Sequence, residues 1–271
     1  MQIKDVISVI EEFAPLSFQE DYDNSGLQIG DVSNEIKSVL ITVDITEEII
    51  DEAINLEANL IISHHPLIFS GIKKITAQNS TEKAIIKAIQ NNISIYSAHT
   101  NIDNIENGVN GIIANKIGLL NQKILQPKRN ALSKLVTFVP IDHIDKVREA
   151  VFVAGAGNIG NYDSCSFNIE GTGTFKGNED TNPFVGNKGE LHKEKEIRFE
   201  SIFPNYLKNK IINSLIKAHP YEEVAYDIYP LTNLYSQVGS GIIGELENEI
   251  NEVDFLNKIK NIFNSGCIRH T

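Results

Sequence analysis

Short apolar runs alternate with segments of helical periodicity in the first third of the chain. Residues 38–44, 60–63 and 93–99 are apolar runs bounded by polar residues, and such runs are typical of strands buried in a parallel sheet. Between the first two runs, Thr46 precedes two glutamates, which is the pattern of a helix N-cap with acidic residues in the first turn. The same spacing predicts further helices over residues 3–13, 80–92 and 109–117. We therefore predict β-α-β units that close onto a parallel sheet with right-handed crossovers.

A second pattern begins near Leu132. Apolar runs and helical periodicity there predict strand, helix, strand, strand, helix and strand over residues 132–139, 144–154, 164–176, 194–202, 206–218 and 224–229. This β-α-β-β-α-β order is that of ferredoxin-like folds. The fold class is thus α/β, with a ferredoxin-like α+β module at residues 131–230 inserted into a first domain formed by residues 1–127 and 233–271.

Polar residues follow each of the three predicted parallel strands. They are Asp44 after the first strand, His64 and His65 after the second, and His99 with Asp103 after the third. Ligands of open α/β sheets bind at the carboxyl ends of the strands, so these side chains are predicted to converge at one edge. Adjacent side chains of a strand point to opposite faces, so the two neighbouring histidines can serve two ligand positions or two metals.

His64, His65 and Asp103 form the best candidate metal set. Imidazole and carboxylate ligands suit Zn, Fe, Mn, Co or Ni, and a carboxylate can bridge two cations. Each residue also has a simpler interpretation, since backbone hydrogen bonds can satisfy histidines at a strand end and Asp103 can form a helix cap or a turn.

The neighbouring polar residues are weaker candidates. His99 is interpreted as a group that supports a ligand or transfers a proton, or as a buried histidine with satisfied hydrogen bonds. Asp44 either orients a histidine or only ends its strand. The segment Asp23–Gly26 is interpreted as a turn before a short strand.

Composition limits the possible partners and location. A net charge of −12 over 271 residues disfavours nucleic-acid binding, and the chain has no apolar run of about eighteen residues that would predict a membrane helix. The N-terminus lacks the layout of a signal peptide. Only Cys165 and Cys267 are present, too few for a disulfide framework. We expect a cytoplasmic protein without a membrane partner.

Several motifs together resemble the GTP cyclohydrolase I type 2 homologue family, which comprises dinuclear-metal proteins related to a yeast transcription-interacting factor. In the predicted first domain these motifs are Asp23–Gln28, Ser63–Pro66 and His99–Asp103. Those in the module are Gly171–Phe175, Asn182–Gly186 and His219–Asp227. The second group is similar to the CutA/PII-like insert of that family. The resemblance extends over nearly the whole chain in the same order.

The resemblance implies an α/β/α domain that holds two divalent metal ions per subunit, with His64, His65 and Asp103 as ligands. It also implies that the insert forms trimers, which stack into a hollow homohexamer. The implied activity is that of a metal-dependent hydrolase of a nucleotide or phosphoester, and the family name suggests GTP ring opening. The alternative is a non-enzymatic metal-binding or regulatory scaffold. The substrate is a small molecule that no motif identifies.

The family pattern contains one feature that this chain lacks. A His-x-x-x-Glu pair near the C-terminus of the family has no counterpart before Thr271. We expect the natural protein to continue past Thr271 and to supply those two ligands. In the module, the cluster His219–Glu223 contains groups that bind metals, but it is better interpreted as a structural turn and trimer contact.

Overall fold

A computed structural model describes residues 1–270. The chain divides into two compact units, the first formed by Met1–Pro127 with the segment from Ser236 onward, and the second by Lys128–Tyr235. Both contain helices and strands, which confirms the predicted α/β class with an inserted ferredoxin-like module. None of the helices within residues 1–270 combines the length and the apolar character that a membrane crossing needs.

The regular elements alternate along the chain. In order they are α1 Ile3–Phe13, β1 Gly26–Ile29, β2 Val39–Thr42, α2 Glu47–Asn55, β3 Leu60–Ser63, α3 Ser80–Gln90, β4 Ser94–Ser97, α4 Thr100–Asp103, α5 Val109–Ile117, β5 Leu120–Lys128, β6 Leu132–Pro140, α6 Ile144–Val153, β7 Phe167–Phe175, β8 His192–Pro204, α7 Lys208–Ala218, β9 Tyr226–Leu231, β10 Tyr235–Glu245 and α8 Glu252–Ile262. The helices and strands of the predicted β-α-β units are all present. Strand β5 and the single-turn helix α4 were not predicted.

The main sheet of the first unit has the strand order β1-β4-β3-β2. Strands β2, β3 and β4 are parallel, whereas the edge strand β1 runs antiparallel to β4. Strands β5 and β10 form a separate two-stranded sheet. The parallel strands agree with the predicted β-α-β units, because helices α2 and α3 make the two crossovers.

The central strands β3 and β4 of the main sheet are covered on both faces, as is typical of parallel sheets. On one face, Ile61 and Ile95 pack with residues of α2 and α3, including Ile50. On the other face, Leu60 and Tyr96 pack with residues of α1, including Ile3 and Ile7. Leu60 and Ile61 are adjacent, and they contribute to different clusters because side chains alternate along a strand. The result is a three-layer α/β/α arrangement.

Side-chain caps and a glycine define the ends of the helices. Thr46 accepts a hydrogen bond from the backbone N–H of Ile49 at 3.3 Å, and Asn79 accepts one from the N–H of Glu82 at 2.8 Å. These bonds satisfy backbone donors that have no partner within the helix. Helix α5 ends at Gly118, whose φ of 82° is a left-handed conformation that favours glycine.

The second unit has the order β6-α6-β7-β8-α7-β9, as predicted for the module. Its four strands form an antiparallel sheet in the order β7-β8-β6-β9. Helices α6 and α7 cover one face, where Leu135, Phe199 and Phe203 pack against Val147 and Ile211. The opposite face carries the alternate side chains of each strand, such as Arg198 and Glu200. The predicted module, residues 131–230, falls within this unit.

Candidate metal centre

The predicted site residues lie at the carboxyl edge of the main sheet. Ser63 at the end of β3 is in register with Thr42 of β2 and with Ser97 of β4. The three parallel strands therefore end side by side. The residues that follow them are brought to one edge, as the sequence pattern predicted.

Backbone hydrogen bonds continue past the strand ends and fix the two adjacent histidines. The N–H of His64 donates to the carbonyl of Thr42 at 3.1 Å, and the N–H of His65 donates to the carbonyl of Val43 at 2.9 Å. On the other side, the N–H of Ala98 donates to the carbonyl of Ser63 at 2.9 Å. The histidines thus stand on an ordered extension of the sheet.

Three imidazole rings form a compact group. The ring centroids of His64 and His65 are 5.0 Å apart, those of His64 and His99 are 5.1 Å apart, and those of His65 and His99 are 5.5 Å apart. One ring nitrogen from each lies within 4.8 Å of the others. This group could hold a metal ion. His99, for which the sequence left a supporting role, proton transfer and a buried structural role open, is part of this group.

The second nitrogen of each ring has its own partner. Each Nδ1 faces an oxygen that can only accept: the Ala98 carbonyl at 3.0 Å from His64, Asp44 Oδ1 at 2.7 Å from His65, and Asp23 Oδ1 at 2.8 Å from His99. Because carbonyl and carboxylate oxygens accept, each Nδ1 carries the proton. The three Nε2 atoms then keep their lone pairs, which is the state in which histidine binds metals.

Asp103 lies beside the histidines and has an unsatisfied oxygen. Its Oδ2 is 3.9 Å from His64 Nε2. Its Oδ1 is buried and makes no hydrogen bond with residues 1–270. Burial raises the pKa of Asp103, although the positive forms of His64 and His99 act in the opposite direction. A buried acceptor without a partner is costly, and a cation beside Asp103 would remove that cost. The donor set therefore fits a divalent metal.

Asp23 is a residue of this site that the sequence pattern did not reveal. Its side chain has no exposed surface. Besides His99, it accepts hydrogen bonds from the backbone N–H and the hydroxyl of Thr100 and from the hydroxyl of Ser25. Burial raises the pKa of Asp23, but these hydrogen bonds outweigh burial and bring the pKa to about 2. Asp23 is therefore a buried anion that holds the His99 ring.

The turn that contains Asp23 also positions the loop after the histidine pair. The side-chain amide of Asn24 donates to the carbonyl of Ile68 at 2.6 Å. The backbone N–H of Ile68 donates to the side-chain carbonyl of Gln28 at 2.9 Å. The neighbouring Phe69 is half exposed, and its ring centroid is 6.4 Å from that of His99. The motif at residues 23–28 thus orders one wall of the site.

The cluster at His219 has a different character. His219 is buried in the second unit, where its Nε2 donates to the carbonyl of Phe138 at 3.0 Å and its Nδ1 accepts from the N–H of Tyr221 at 3.1 Å. Both ring nitrogens are therefore satisfied by the protein. This geometry agrees with the interpretation of a structural turn.

Comparison with known proteins identifies the family of the chain. The model of the family Duf34/NIF3 (NGG1p interacting factor 3) matches residues 1–271. The chain belongs to the Duf34/NIF3 family. The resemblance seen in the sequence motifs is thereby confirmed.

Relatives with curated names support the family assignment. The chain is 44% identical over 265 residues to a GTP cyclohydrolase 1 type 2 homolog of Halalkalibacterium halodurans and 40% identical over 265 residues to that of Bacillus subtilis. Each alignment covers 97% of this chain and 71% of the relative. The crystal structure of a Bacillus cereus protein related to NIF3 is 43% identical, with a TM-score of 0.83 over 97% of this chain and 71% of that one.

Proposed function

We propose that this Duf34/NIF3 chain binds divalent metal ions at the histidine group and acts as a metal-dependent hydrolase on a nucleotide or phosphoester. The observation that carries the proposal is the convergence of three imidazoles whose Nδ1 atoms are all bonded to acceptors. That arrangement leaves the three Nε2 lone pairs available in a group of rings whose centroids are 5.0 to 5.5 Å apart. The names of the curated relatives, as homologs of a GTP cyclohydrolase, favour a nucleotide among possible substrates.

The proposed ligands are His64, His65 and Asp103, with His99 added because its ring joins the group. The family resemblance implies two ions in the full site, and the Asp103 carboxylate has two oxygens with which it can bridge them. Nitrogen and oxygen donors without thiolate fit Zn, Fe, Mn, Co or Ni. Asp44 and Asp23 hold the rings of His65 and His99 by accepting hydrogen bonds from their Nδ1–H groups. Such partners fix ring orientation and raise ligand basicity.

A bound divalent cation would supply Lewis-acid activation of water and of a phosphoryl or carbonyl oxygen. The chain itself supplies the geometry around the reacting groups. Asp103 Oδ1, which is buried and makes no hydrogen bond within residues 1–270, is available to a bound cation. Phe69 presents half of its surface next to His99, and a flat ring of a substrate can pack there.

The second unit supports a proposal of self-association. Phe167 and Tyr229 lie on the sheet face opposite to helices α6 and α7, with 64% and 47% of their surface exposed. Contact with other copies would remove this apolar surface from water. We infer assembly into trimers through this unit and into hexamers by stacking of trimers. Light scattering after size-exclusion chromatography, with and without a chelator, would give the subunit number, and no dependence on metal is expected.

The alternative proposal is a metal-binding or regulatory scaffold without turnover, which would use the same exposed face to assemble. A turnover assay separates the two proposals. Metal-loaded protein is offered nucleoside triphosphates, cyclic nucleotides and bis-p-nitrophenyl phosphate, and the products are followed by chromatography. The His65→Ala variant tests the site, and His143→Ala in the second unit is the matched control. Turnover that His65→Ala abolishes supports the hydrolase, whereas tight metal binding without turnover of any compound supports the scaffold.

A further inference from the structure

The second unit contains a cavity that is separate from the histidine group. Its volume is about 590 Å³, within the range of sites for small molecules. The walls are contributed by strands β7 and β8, by the loop that follows β7 and by the turn after α7. All of these segments belong to the second unit, so the cavity does not depend on the first unit.

Two glycines of β7 create part of this space. At Gly173, a side-chain Cβ would lie 2.0 Å from Oε2 of Glu196, so only glycine leaves room for that carboxylate. At Gly171, a Cβ would meet no atom within 4 Å. Gly171 therefore borders open space, and a larger side chain at this position would fill the cavity without displacing the backbone.

A buried carboxylate lies in the wall of the cavity. Glu196 is only 7% exposed. Its Oε1 accepts a hydrogen bond from the Tyr221 hydroxyl at 2.9 Å, whereas Oε2 has no hydrogen-bond partner within residues 1–270. A buried charged group needs compensation by hydrogen bonds or an opposite charge. A cation that enters the cavity would place an opposite charge beside this carboxylate.

Aromatic rings line the same cavity. The ring centroids of Phe175 and Tyr221 are 5.8 Å apart, and those of Phe184 and Tyr221 are 6.2 Å apart. Phe184 is 51% exposed and therefore also borders solvent. Aromatic faces attract cations as well as apolar groups. These walls suit a ligand with an apolar body and a positive charge.

The remaining charges of the cavity also favour a cation over an anion. Four glutamates but only two basic residues line it. Of the basic residues, Arg198 is already paired, because its Nε donates to Glu200 at 2.7 Å and its guanidinium lies 5.8 Å from the centre of the Phe138 ring. An anionic ligand would meet an excess of carboxylates, whereas a cation would be stabilised by them.

We propose that this cavity is a binding site for a small organic amine, whose ammonium group donates to Glu196 and whose apolar part packs between Phe175, Phe184 and Tyr221. The site is a second ligand site formed by residues of the second unit alone, and it lies on the sheet face through which we propose assembly. Binding there would order the loop after β7, since Pro183 and Phe184 belong to both the loop and the cavity wall.

The test uses 2-phenylethylamine as the probe, with 2-phenylethanol and phenylacetate as neutral and anionic analogues. Binding to the full chain is measured by isothermal titration calorimetry. The variants are Glu196→Gln, which keeps an acceptor for Tyr221 but removes the charge, and Gly171→Leu, which fills the cavity. Glu149→Gln is the control, because Glu149 is an exposed glutamate of α6 outside the cavity. Circular dichroism establishes that each variant is folded.

The amine is expected to bind at least about tenfold more tightly than either analogue. The reason is that neither analogue has an ammonium group to donate to Glu196, and loss of a hydrogen bond to a charged group costs about that factor. Both cavity variants should weaken amine binding by a similar factor, and Glu149→Gln should leave it unchanged. If Glu196→Gln does not fold, Gly171→Leu alone decides. Equal binding of all three probes, no binding of the amine, or unchanged binding in Gly171→Leu would overturn the proposal. A changed subunit number in Gly171→Leu, without amine binding, would show instead that another copy fills the cavity.

Discussion

Replacement of Asp23 by asparagine tests how the site holds its third histidine. The side chain keeps its size but exchanges one carboxylate oxygen for an NH₂ group. Asp23 Oδ1 accepts from His99 Nδ1 and from the N–H of Asn24, and Oδ2 accepts from Ser25 and from two donors of Thr100. In either orientation, the new NH₂ group faces at least one donor that cannot reverse its direction.

The magnitude follows from the bonds that are lost. A hydrogen bond to a charged group contributes about 1.5–3 kcal/mol, and a buried donor left without an acceptor costs a similar amount. Because the side chain of Asp23 is fully buried, solvent does not replace the lost bonds. We expect Asp23→Asn to lower the free energy of unfolding of the metal-free protein by about 3 kcal/mol. Urea unfolding followed by far-ultraviolet circular dichroism measures this change.

The same substitution is expected to weaken metal binding. An NH₂ group next to His99 would favour the ring tautomer in which Nδ1 accepts and Nε2 carries the proton, so Nε2 would lose its free lone pair. Loss of such a supporting partner typically costs about 10–100-fold in metal affinity. Calorimetric titration with Zn²⁺ or Mn²⁺ measures this factor, and Asp21→Asn, which changes an exposed aspartate of the same segment, is the control. Unchanged stability together with unchanged affinity in Asp23→Asn would refute the role assigned to Asp23.

Two further predictions concern stability. His219→Gln should reduce the loss of stability on acidification. Burial lowers the pKa of His219 in the folded state below its ordinary value of 6.5, so the wild type loses stability as pH falls below about 6.5. Urea midpoints at pH 7.5 and 5.5 measure this loss, and equal pH dependence in both proteins would contradict the prediction. Ile61→Ala should lower the free energy of unfolding, measured in urea, by about 2–5 kcal/mol, because Ile61 is fully buried. Ile41→Ala, at a position that is 77% exposed, should lower it by about 0.5 kcal/mol or less. Similar losses in the two variants would contradict the assigned core.

The parts of the fold that depend on local patterns could be predicted from the sequence. The helix Ile3–Phe13 has the predicted bounds, because its apolar spacing and the following Pro15 both act locally. The strand that leads to the histidine pair was also predicted, since an apolar run before polar residues is a strong signal. Strand β5 was missed because its sequence, with Asn121, Gln122 and Lys123 near its start, lacks an apolar run.

The chemistry of the site was predicted less completely, for a different reason. His64 and His65 are adjacent at a strand end, so their common location is visible in the sequence. The contact between Asp23 and His99 joins residues that are 76 positions apart, and the segment around Asp23 has the composition of an ordinary turn. No local pattern indicates that the Asp23 carboxylate accepts a hydrogen bond from the distant ring of His99. The sequence therefore could not show that His99 lies next to Asp23 and the histidine pair.

The most direct test of the proposed metal centre is the metal content of the protein and of one matched pair of variants. Wild type, His64→Ala and His143→Ala are purified identically, loaded with the same divalent metal and freed of excess metal, and their content is measured by plasma mass spectrometry. The account predicts at least one bound ion per chain in wild type and in His143→Ala, and a loss of bound metal in a folded His64→Ala. A metal content that is unchanged in His64→Ala would contradict the account.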